Sequence, residues 1–508
     1  PSPEMLRQHT TVSPAEAAAL SSLQAPIVLL PITAAMQAAI ATELLAPGLD
    51  KIGVMLPYAP LLHLIANACK RPLVATSGNV SGSPVCFTDA EAIAHLGAVA
   101  DYFLQHNRPI AAPQDDSLVS IPPLYNQPVL LRRSRGYAPA CPVYTPGQPQ
   151  SIVATGALMK SSFAISHAGQ VYVSQYLGNT DSYEAQQSYR HTWRHLAGML
   201  HLQPQVVVAD LHPGYFAHAF AEELAADYGL QVHTVQHHKA HFAAVLAEHN
   251  LLAHPAPVLG VIWDGIGLGD DGQSWGGEFF TYEKGKVLRC YYFDYFPHLL
   301  GDKMAREPRL AALAATHAAW PPIVLPPGMF SHAEANLYSR MLENYKGLQT
   351  SSAGRLFDAV AALVLGIGYQ SYEGEAAMQL EAAARQWLGK NDLPERASYF
   401  SSGAHYHRIP TASLMQGIAQ DVSKGREPGY IAARFHRSLV HLVEIIAGHL
   451  QVQDIAFSGG VFQNALLIDM AVQHLGGKFR LYFHRQLPPN DENIALGQLV
   501  WVDGMLSG

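Results

Sequence analysis

Two stretches, Ser151–Gln175 (SIVATGALMKSSFAISHAGQVYVSQ) and Val258–Phe293 (VLGVIWDGIGLGDDGQSWGGEFFTYEKGKVLRCYYF), repeat one pattern. Each begins with a short apolar strand, continues through a glycine-containing loop, and ends in two strands joined by a tight turn. Because helical segments follow each copy, the repetition predicts a duplicated α/β fold with a cleft between its halves. The predicted strands are Ser151–Thr155, Ser162–Ser166, Val171–Gln175, Val258–Trp263, Glu278–Tyr282 and Val287–Phe293.

This layout is that of actin-like phosphotransfer domains, in which two loops hold phosphates from opposite sides. The residues before the repeat have a different organisation. Pro26–Pro31, Lys51–Leu56 and Pro72–Thr76 are predicted as short strands between helical stretches, which indicates a mixed α/β unit. The proline- and glycine-rich segment Gly136–Pro149 is predicted to be a linker between this unit and the repeat.

Composition narrows the function classes. The 508 residues are 49% hydrophobic and 14% charged, which suits buried cores rather than a disordered chain. The net charge of −8 argues against a surface that coats nucleic acid, and no apolar run approaches the roughly 20 residues of a membrane helix. The start, PSPEMLRQHTT, lacks the features of a signal peptide, and the four scattered cysteines form no CxxC pair. We therefore expect a cytoplasmic protein with reduced thiols and no membrane or nucleic-acid partner.

The segment Val232–Asn250 predicts an extended stretch followed by a helix that carries His237 and His241. Histidines four residues apart lie on one helix face and can bind one metal ion, although a chain with 26 histidines also produces such pairs by chance. Acids further along could complete the site. Asp264 follows an apolar strand, where α/β sheets place their ligands, or it belongs to an ordinary Asp-Gly turn. Asp491 begins a predicted helix, where a carboxylate often serves only as the N-cap.

Further segments have the composition of phosphate or nucleotide sites. Asp454–Met470 predicts a strand, a Gly-Gly turn and a helix, and free N–H groups at a helix start favour phosphate. Asp358 interrupts an apolar helix predicted within Thr350–Tyr369, either on its polar face or toward a nucleotide pocket. In the first region, the loop Thr76–Gly82 and the segment Leu130–Pro139 offer hydroxyl, amide and guanidinium groups. These form an anion pocket or a solvated basic turn.

Taken together, the motifs are far more specific than any one of them. The chain contains, in this order, LPYAPLLHLI, TSGNVSG, HNRPI, DDS, LLRRSRGYAP, DLHPGY, VQHHKAHFAAVLAEH, DGIGLGDDGQSWGGEF, TSSAGRLFDAV, YEGEAAMQLE, FSGGVFQN and LPPNDENIALGQ. This series resembles the HypF family, the carbamoyltransferases of NiFe-hydrogenase maturation, over essentially the whole chain. The resemblance implies a YrdC-like domain at residues 1–142 and a duplicated actin-like (ASKHA) α/β domain at 150–508, with lobes 150–257 and 258–508.

The resemblance also implies a relay of reactions. Carbamoyl phosphate yields carbamate, which the YrdC-like domain joins to ATP as carbamoyl adenylate, with release of pyrophosphate. The actin-like domain then passes the carbamoyl group to the C-terminal cysteine of HypE, where it becomes the precursor of a cyanide ligand. The implied cofactors are ATP with Mg and a divalent metal, which by its ligand types is Fe, Zn or Mn.

The family's motifs map onto named positions in this sequence. The resemblance implies that the metal is held by His237, His241, Asp264 and Asp491, and that His237, His241 and Lys160, in the first phosphate loop, are catalytic. The implied nucleotide-binding residues are Asp358, Gly374, Gly459, Gly460 and Asn464 in the actin-like domain, and Thr76, Ser77, Asn79, Arg132 and Arg135 in the YrdC-like domain.

The chain departs from the family pattern in several places. Pro113 stands where arginine usually precedes DDSV, the first loop reads GALMKSS instead of GGELKNT, and Lys239 changes HHHAH to HHKAH. The family's acylphosphatase and zinc-finger-like segments have no counterpart, so carbamoyl phosphate cleavage is not expected of this chain. The alternatives are a carbamoyltransferase for a small-molecule hydroxyl, a tRNA-modifying transferase, and a non-catalytic module that docks to HypE.

Overall fold

Three β-sheets organise the chain. The computed structural model describes residues 2–80, 82–148, 150–319, 321–395, 397–401, 406 and 408–506, so Pro149 of the predicted linker lies outside the described residues. Among the described helices, none combines the length and apolar character needed to cross a bilayer.

The first sheet is small and mixed. Its strands run in the order β2-β1-β3-β4, with β1 antiparallel to β2 and parallel to β3. The mixed α/β organisation predicted for this region is confirmed, and β1 and β2 are the first two strands expected from the sequence. The elements are β1 (Ile27–Pro31), β2 (Lys51–Val54), β3 (Leu118–Ser120), β4 (Val129–Arg132), α1 (Pro3–Arg7), α2 (Pro14–Leu20), α3 (Ala34–Ala39), α4 (Thr42–Leu45), α5 (Pro60–Cys69) and α6 (Asp89–Leu96).

The third strand predicted in this region is wrong. Residues Pro72–Thr76 form neither a strand nor a helix. Leu73 and Val74 are 49% and 73% exposed. The apolar run that predicted a strand has no neighbouring strand to satisfy its backbone groups, because the edge strands β2 and β4 pair only with β1 and β3.

The second sheet has five strands in the order β7-β6-β5-β8-β9. The first three are antiparallel neighbours, and β8 and β9 join on the other side in parallel. Tyr189 and Phe220, from the helices that cover one face, pack with Val153 and Val207 from the strands. The elements are β5 (Ile152–Ala154), β6 (Ala164–His167), β7 (Gln170–Val173), β8 (Val206–Asp210), β9 (Val232–Val235), α7 (Tyr183–Met199) and α8 (Phe216–Tyr228).

The third sheet repeats this plan. Its order is β13-β14-β11-β10-β15-β16, with β12 paired to β11. As in the second sheet, three consecutive strands, β10 to β12, are antiparallel. On the other side of β10, β15 pairs with β10 in parallel and β16 pairs with β15 in parallel. The predicted duplication is confirmed. The strands are β10 (Val258–Leu268), β11 (Ser274–Glu283), β12 (Lys286–Tyr292), β13 (Phe296–Pro297), β14 (Gln349–Thr350), β15 (Asp454–Ser458) and β16 (Arg480–Tyr482).

Two helices join these sheets. α9 packs against β10, β15 and α18, and α18 covers the free face of the second sheet. Elements distant in sequence therefore meet around α9. The remaining helices are α9 (His237–Glu248), α10 (Asp302–Arg306), α11 (Pro308–Thr316), α12 (His332–Glu343), α13 (Ala353–Leu365), α14 (Glu375–Leu388), α15 (Thr411–Ser423), α16 (Pro428–Leu450), α17 (Ala465–Leu475) and α18 (Ile494–Leu506).

The unit built on the first sheet docks against both halves of the repeat. Arg133, which is buried, donates from its guanidinium to the carbonyl of Val173 at 3.0 Å. The backbone N–H of Leu124 donates to Asp469 Oδ1 at 2.8 Å. These contacts place the first sheet over one end of the cleft between the other two.

Candidate metal centre and nucleotide cavity

Four predicted metal ligands meet at the base of the cleft. His237 and His241 lie on α9, Asp264 lies on β10, and Asp491 begins a short 3₁₀ helix before α18. One ligand atom from each residue lies within 4.8 Å of all the others. Asp264 Oδ2 is 3.5 Å from His237 Nε2 and 3.7 Å from His241 Nε2. Asp491 Oδ1 is 3.8 Å and 3.7 Å from the same two atoms.

This arrangement fits a divalent metal ion. Both Nε2 atoms are buried and have no hydrogen-bond partner among the described residues, which is costly unless something binds them. Ligand atoms about 2.1 Å from a zinc-sized ion in a tetrahedron lie about 3.4 Å apart, close to the spacing here. The donor set of two imidazoles and two carboxylates suits Fe, Zn or Mn.

A second layer of residues orients the two imidazoles. Asp210 Oδ2, at the end of β8, lies 2.8 Å from His237 Nδ1, and Asn493 Oδ1 lies 2.9 Å from His241 Nδ1. A hydrogen bond from Nδ1 leaves the lone pair of Nε2 facing the carboxylates, as in metal-binding histidines. Sequence reasoning did not assign roles to Asp210 and Asn493. The motifs DLHPGY and LPPNDENIALGQ contained them and were the only signal.

The electrostatics keep the two carboxylates ionised. Burial alone would raise the pKa of Asp264, but its interactions with His237 and His241 outweigh burial and hold the pKa well below its ordinary value. The pKa of Asp491 is also lowered, although burial and the neighbouring Asp264 oppose the shift. Ionised carboxylates are the form that binds a cation.

Local structure explains how α9 reaches the site. The side chain of Gln236 caps the helix by accepting from the N–H of Lys239 at 2.9 Å. Gly267 lies where a Cβ would be 2.7 Å from the ring of His237, so only glycine lets β10 pass this closely. The cap predicted at Asp491 is instead Asn490, whose side chain accepts from the N–H of Glu492 at 3.0 Å. Asp491 is thereby left to face the histidines.

A cavity of about 310 Å³ opens beside the two carboxylates. It lies between the first sheet and the two halves of the repeat, with α13 and α14 along one side. The predicted site residues that line it are Lys160, Asp264, Asp358, Gly374, Gly460, Asn464 and Asp491. His237 and His241 lie behind Asp264 and Asp491.

Lys160 and Glu373 face each other in this cavity. Lys160 Nζ lies 2.5 Å from Glu373 Oε1. Burial would lower the pKa of Lys160, but Glu373 and Asp491 outweigh it and raise the pKa, so the ammonium remains charged. A charged ammonium near the metal site suits a phosphate ligand.

Other cavity residues belong to helix starts. Gly374 has φ of 80° and begins α14. Asn464 caps α17 by accepting from the N–H of Leu467 at 2.8 Å. Asp358, on α13, is buried, and burial raises its pKa to about 6 although Arg355 opposes the shift. The cavity wall thus also has carboxylate, amide and backbone groups.

The Gly-Gly turn contributes through its backbone. Gly459 has φ of 100°, and a Cβ there would collide with the carbonyl of Trp263, so only glycine fits. The N–H of Gly460 donates to Asp264 Oδ1 at 3.0 Å. The turn therefore fixes Asp264, and Gly460 itself lines the cavity while Gly459 stands behind it.

The predicted loop of the first domain lies apart from this cavity. Thr76 and Ser77 are exposed, and Asn79 is half-buried. Ser77 Oγ donates to Asn79 Oδ1 at 2.5 Å, and Asn79 Nδ2 donates to the carbonyl of Ser83 at 2.8 Å. Of the described residues, none in this loop lines the cavity.

The two arginines predicted for the same domain are held by the protein itself. Arg132 Nε donates to the carbonyl of Asp116 at 2.8 Å. Arg135 donates to Asp116 Oδ1 and to the carbonyls of Gln24 and Ala25. Its guanidinium lies 3.5 Å from the ring centre of Tyr58. The structure does not bring either arginine into the described cavity.

Family comparisons cover most of the chain. Residues 1–134 match the family described as Telomere recombination (Sua5, YciO and YrdC), and residues 147–248 match the HypF Kae1-like domain. Residues 260–498 match the second subdomain of the carbamoyltransferase Kae1-like domain. A HypF homolog of Cupriavidus necator is 30% identical over 69% of this chain and 91% of its own length. The chain belongs to the HypF carbamoyltransferase family.

Several members of this family match nearly the full length of this chain, which spans about two thirds of their own length. HypF of Synechocystis sp. is 37% identical over 97% of this chain, which spans 65% of that relative. A crystal structure of full-length HypF in a phosphate- and nucleotide-bound form is 30% identical, with a TM-score of 0.87 over 100% of this chain and 78% of that one. HypF of T. kodakarensis has a TM-score of 0.89 and 31% identity, covering 99% of this chain and 66% of its own. The fold is therefore that of YrdC-like and Kae1-like (actin-like) domains.

Proposed function

We propose that this chain transfers a carbamoyl group from carbamoyl adenylate to the C-terminal cysteine of HypE, in NiFe-hydrogenase maturation. The thiolate sulfur attacks the carbamoyl carbon, the new C–S bond forms, and the C–O bond to phosphate breaks. AMP leaves with the bonding electron pair. The product is a thiocarbamate on HypE, the precursor of a cyanide ligand.

The observation that carries the proposal is the four-residue cluster beside the cavity. The cluster of His237, His241, Asp264 and Asp491 shares two carboxylates with the cavity wall, so a ligand in the cavity lies next to the metal site. A full-length HypF was crystallised in a phosphate- and nucleotide-bound form, which supports ATP as the ligand of this cavity. Membership of the HypF carbamoyltransferase family supports the reaction type.

Individual residues of the cavity and of the cluster would have distinct roles in binding and transfer. Lys160 would bind a phosphate through its charged ammonium, and Asp358, Gly374 and Asn464 would hold the rest of the nucleotide. His237, His241, Asp264 and Asp491 would hold a divalent metal, which as a Lewis acid would polarise the carbamoyl carbonyl. The buried cluster would also keep water away from the activated carbonyl, because hydrolysis competes with transfer to the thiolate.

The formation of the adenylate is assigned to the first domain. We place the boundaries at residues 1–142 for the YrdC-like domain and 150–508 for the actin-like domain, with lobes 150–257 and 258–508. Carbamate would attack the α-phosphorus of ATP, its oxygen would form the new bond, and pyrophosphate would leave with Mg. The residues proposed to bind ATP there are Thr76, Ser77, Asn79, Arg132 and Arg135.

The test is carbamoyl transfer to purified HypE, read as a mass shift on its C-terminal cysteine. The reaction contains ATP, Mg and either ammonium bicarbonate, which supplies carbamate, or carbamoyl phosphate with an acylphosphatase-bearing fragment. His237→Ala is expected to abolish the shift. His233→Ala is the matched control, because His233 is exposed on the strand that precedes α9.

The two arms separate the possible outcomes. A shift that depends on His237 in either arm supports the proposal. HypE that binds the chain tightly yet stays unmodified in both arms would instead indicate a docking module. A small hydroxyl compound carbamoylated in place of HypE would indicate an O-carbamoyltransferase.

A further inference from the structure

Residues of the first domain and of α14 together build one end of the cavity. Gly374 begins α14, and Glu381 lies seven residues further along the helix. A helix rises 1.5 Å per residue, so Glu381 is about 10 Å beyond Gly374. Asp50 and Lys51, at the start of β2, line the same cavity from the first domain.

Contacts between the two domains fix this end. A Cβ on Gly48 would lie 3.4 Å from the side chain of Gln379, which places the loop before β2 directly against α14. Burial lowers the pKa of Lys51, and the carboxylate of Glu381 opposes that shift, which places the two charges near each other. The first domain therefore forms part of the wall of a cavity whose other groups belong to the repeat.

Asp50 and Lys51 place an acceptor beside a donor on the cavity wall. Within the described ranges, neither side chain forms a hydrogen bond to another side chain or an ion pair within 4.0 Å. Glu381, in contrast, accepts from Arg385 Nε at 2.9 Å and from the N–H of Leu466 at 3.0 Å. Partly buried charged groups outside direct ion pairs still have hydrogen-bonding capacity for a ligand, because their desolvation is costly unless a ligand replaces the water.

Apolar side chains flank this polar pair. Leu29 and Leu49 from the first domain and Ala377 and Met378 from α14 line the same cavity. Apolar walls around a few polar groups are typical of a pocket for a flat heterocycle. A nucleotide whose phosphates lie at Lys160 would direct its base toward this end.

We propose that Asp50 and Lys51 bind the edge of the purine base of that nucleotide and select adenine over guanine. Adenine presents an amino donor at N6 and an acceptor at N7, whereas guanine presents two acceptors, O6 and N7. Asp50 accepts from the amino group, and Lys51 donates to the ring nitrogen. Guanine places O6 against the Asp50 carboxylate, which opposes two acceptors. This inference rests on the proposed function, because it takes a nucleotide to occupy the cavity.

The test is calorimetric titration of the full chain with the non-hydrolysable analogues AMPPNP and GMPPNP, both with Mg. The cavity site is the one that Lys160→Met weakens, which separates it from the ATP site proposed in the first domain. We expect the unaltered chain to bind AMPPNP at least about tenfold more tightly, the usual scale of discrimination for one well-placed pair. Asp50→Asn should bring the ratio of the two dissociation constants toward one, because an amide can also donate to O6. Lys51→Met should weaken AMPPNP binding about tenfold, and Lys51→Arg should retain most of it.

The ratio separates recognition from mere structural damage. Loosened docking of the first domain would weaken both analogues alike and leave their ratio unchanged, which would overturn the inference. Lys286→Met is the matched control, because Lys286 is exposed on β12 and lies outside the cavity. Equal binding of both analogues by the unaltered chain would overturn this inference and leave the proposed function standing. Failure to bind either analogue would also remove the nucleotide from the proposed function.

Discussion

Lys160 Nζ lies 2.5 Å from Glu373 Oε1, and this salt bridge joins the loop after β5 to the residue before Gly374 and α14 across the cavity. Its two partners come from opposite halves of the repeat. A ligand phosphate near Lys160 would compete with Glu373 for the ammonium. The ammonium of Lys160 can therefore exchange its contact with Glu373, in the other half, for a contact with the ligand.

Lys160→Met is expected to weaken AMPPNP binding about tenfold, because a charge-assisted contact in a partly buried site is lost. Calorimetric titration measures the change. Lys478→Met is the matched control, since Lys478 forms an equally short pair of 2.5 Å with Glu444 on an exposed surface. If the Lys160 variant bound the analogue as tightly as the unaltered chain, the phosphates would have to lie elsewhere.

Metal removal is expected to lower the thermal stability of the chain. A ligand that binds only the folded state at about 100 times its Kd stabilises it by about 2.7 kcal/mol. Differential scanning calorimetry after chelation, and again after addition of Zn²⁺ or Mn²⁺, measures this increment. His241→Ala should abolish it, and His233→Ala should retain it. An increment that survives in the His241 variant would place the ion at another site.

Asp210→Asn is expected to weaken metal binding about 10- to 100-fold, because the carboxylate that orients His237 is lost. The N–H of His212 donates to Asp210 Oδ1 at 2.9 Å. Asparagine keeps an oxygen that can accept this hydrogen bond, so the local turn is preserved. Competition with a metal-sensitive dye measures the affinity. The control is Asp227→Asn on the exposed face of α8. Equal affinities in the two variants would show that Asp210 has no positioning role.

Gly497→Ala is expected to destabilise the chain by about 1–3 kcal/mol or more, as overpacking does. Its Cβ would collide with the carbonyl of Ala240, where α18 crosses α9. Gly504 lies on the same helix, and no atom of the described residues would be within 4 Å of a Cβ there, so Gly504→Ala should stabilise the helix by about 0.5–1 kcal/mol. Urea denaturation measures both. Similar midpoints for the two variants would contradict this packing of α18 on α9.

Local sequence patterns predicted much of the fold. The strands of the repeat follow apolar runs bounded by glycine turns. Pro72–Thr76 has the same apolar character but no partner strand, and pairing is a property of the whole sheet that a local pattern does not contain. The N-cap is Asn490 and not Asp491. Asparagine and aspartate have similar capping preferences, so the sequence does not distinguish between these adjacent residues.

The candidate site was predictable only in part for the same reason. His237 and His241 share one helix face, so their proximity follows from spacing alone. Their approach to Asp264 and Asp491 depends on how three elements pack, and it was inferred from a family resemblance. Asp210 and Asn493 carried no local signal of their own, because each acts through an imidazole that lies far away in sequence. The contribution of Asp50 and Lys51 to the cavity likewise depends on how the first domain docks.

His241 and Asn493 are 252 residues apart in sequence and joined by a contact of 2.9 Å. Contacts of such long range form late, because a large loop must close before they stabilise anything. A zinc finger has its ligands close together in sequence, so its ion can drive folding. Here the four residues come from three elements, of which one is distant in sequence from the other two, so the complete set meets only in the folded chain. The identity of the bound metal would then depend on which ions the cell supplies to an already folded protein.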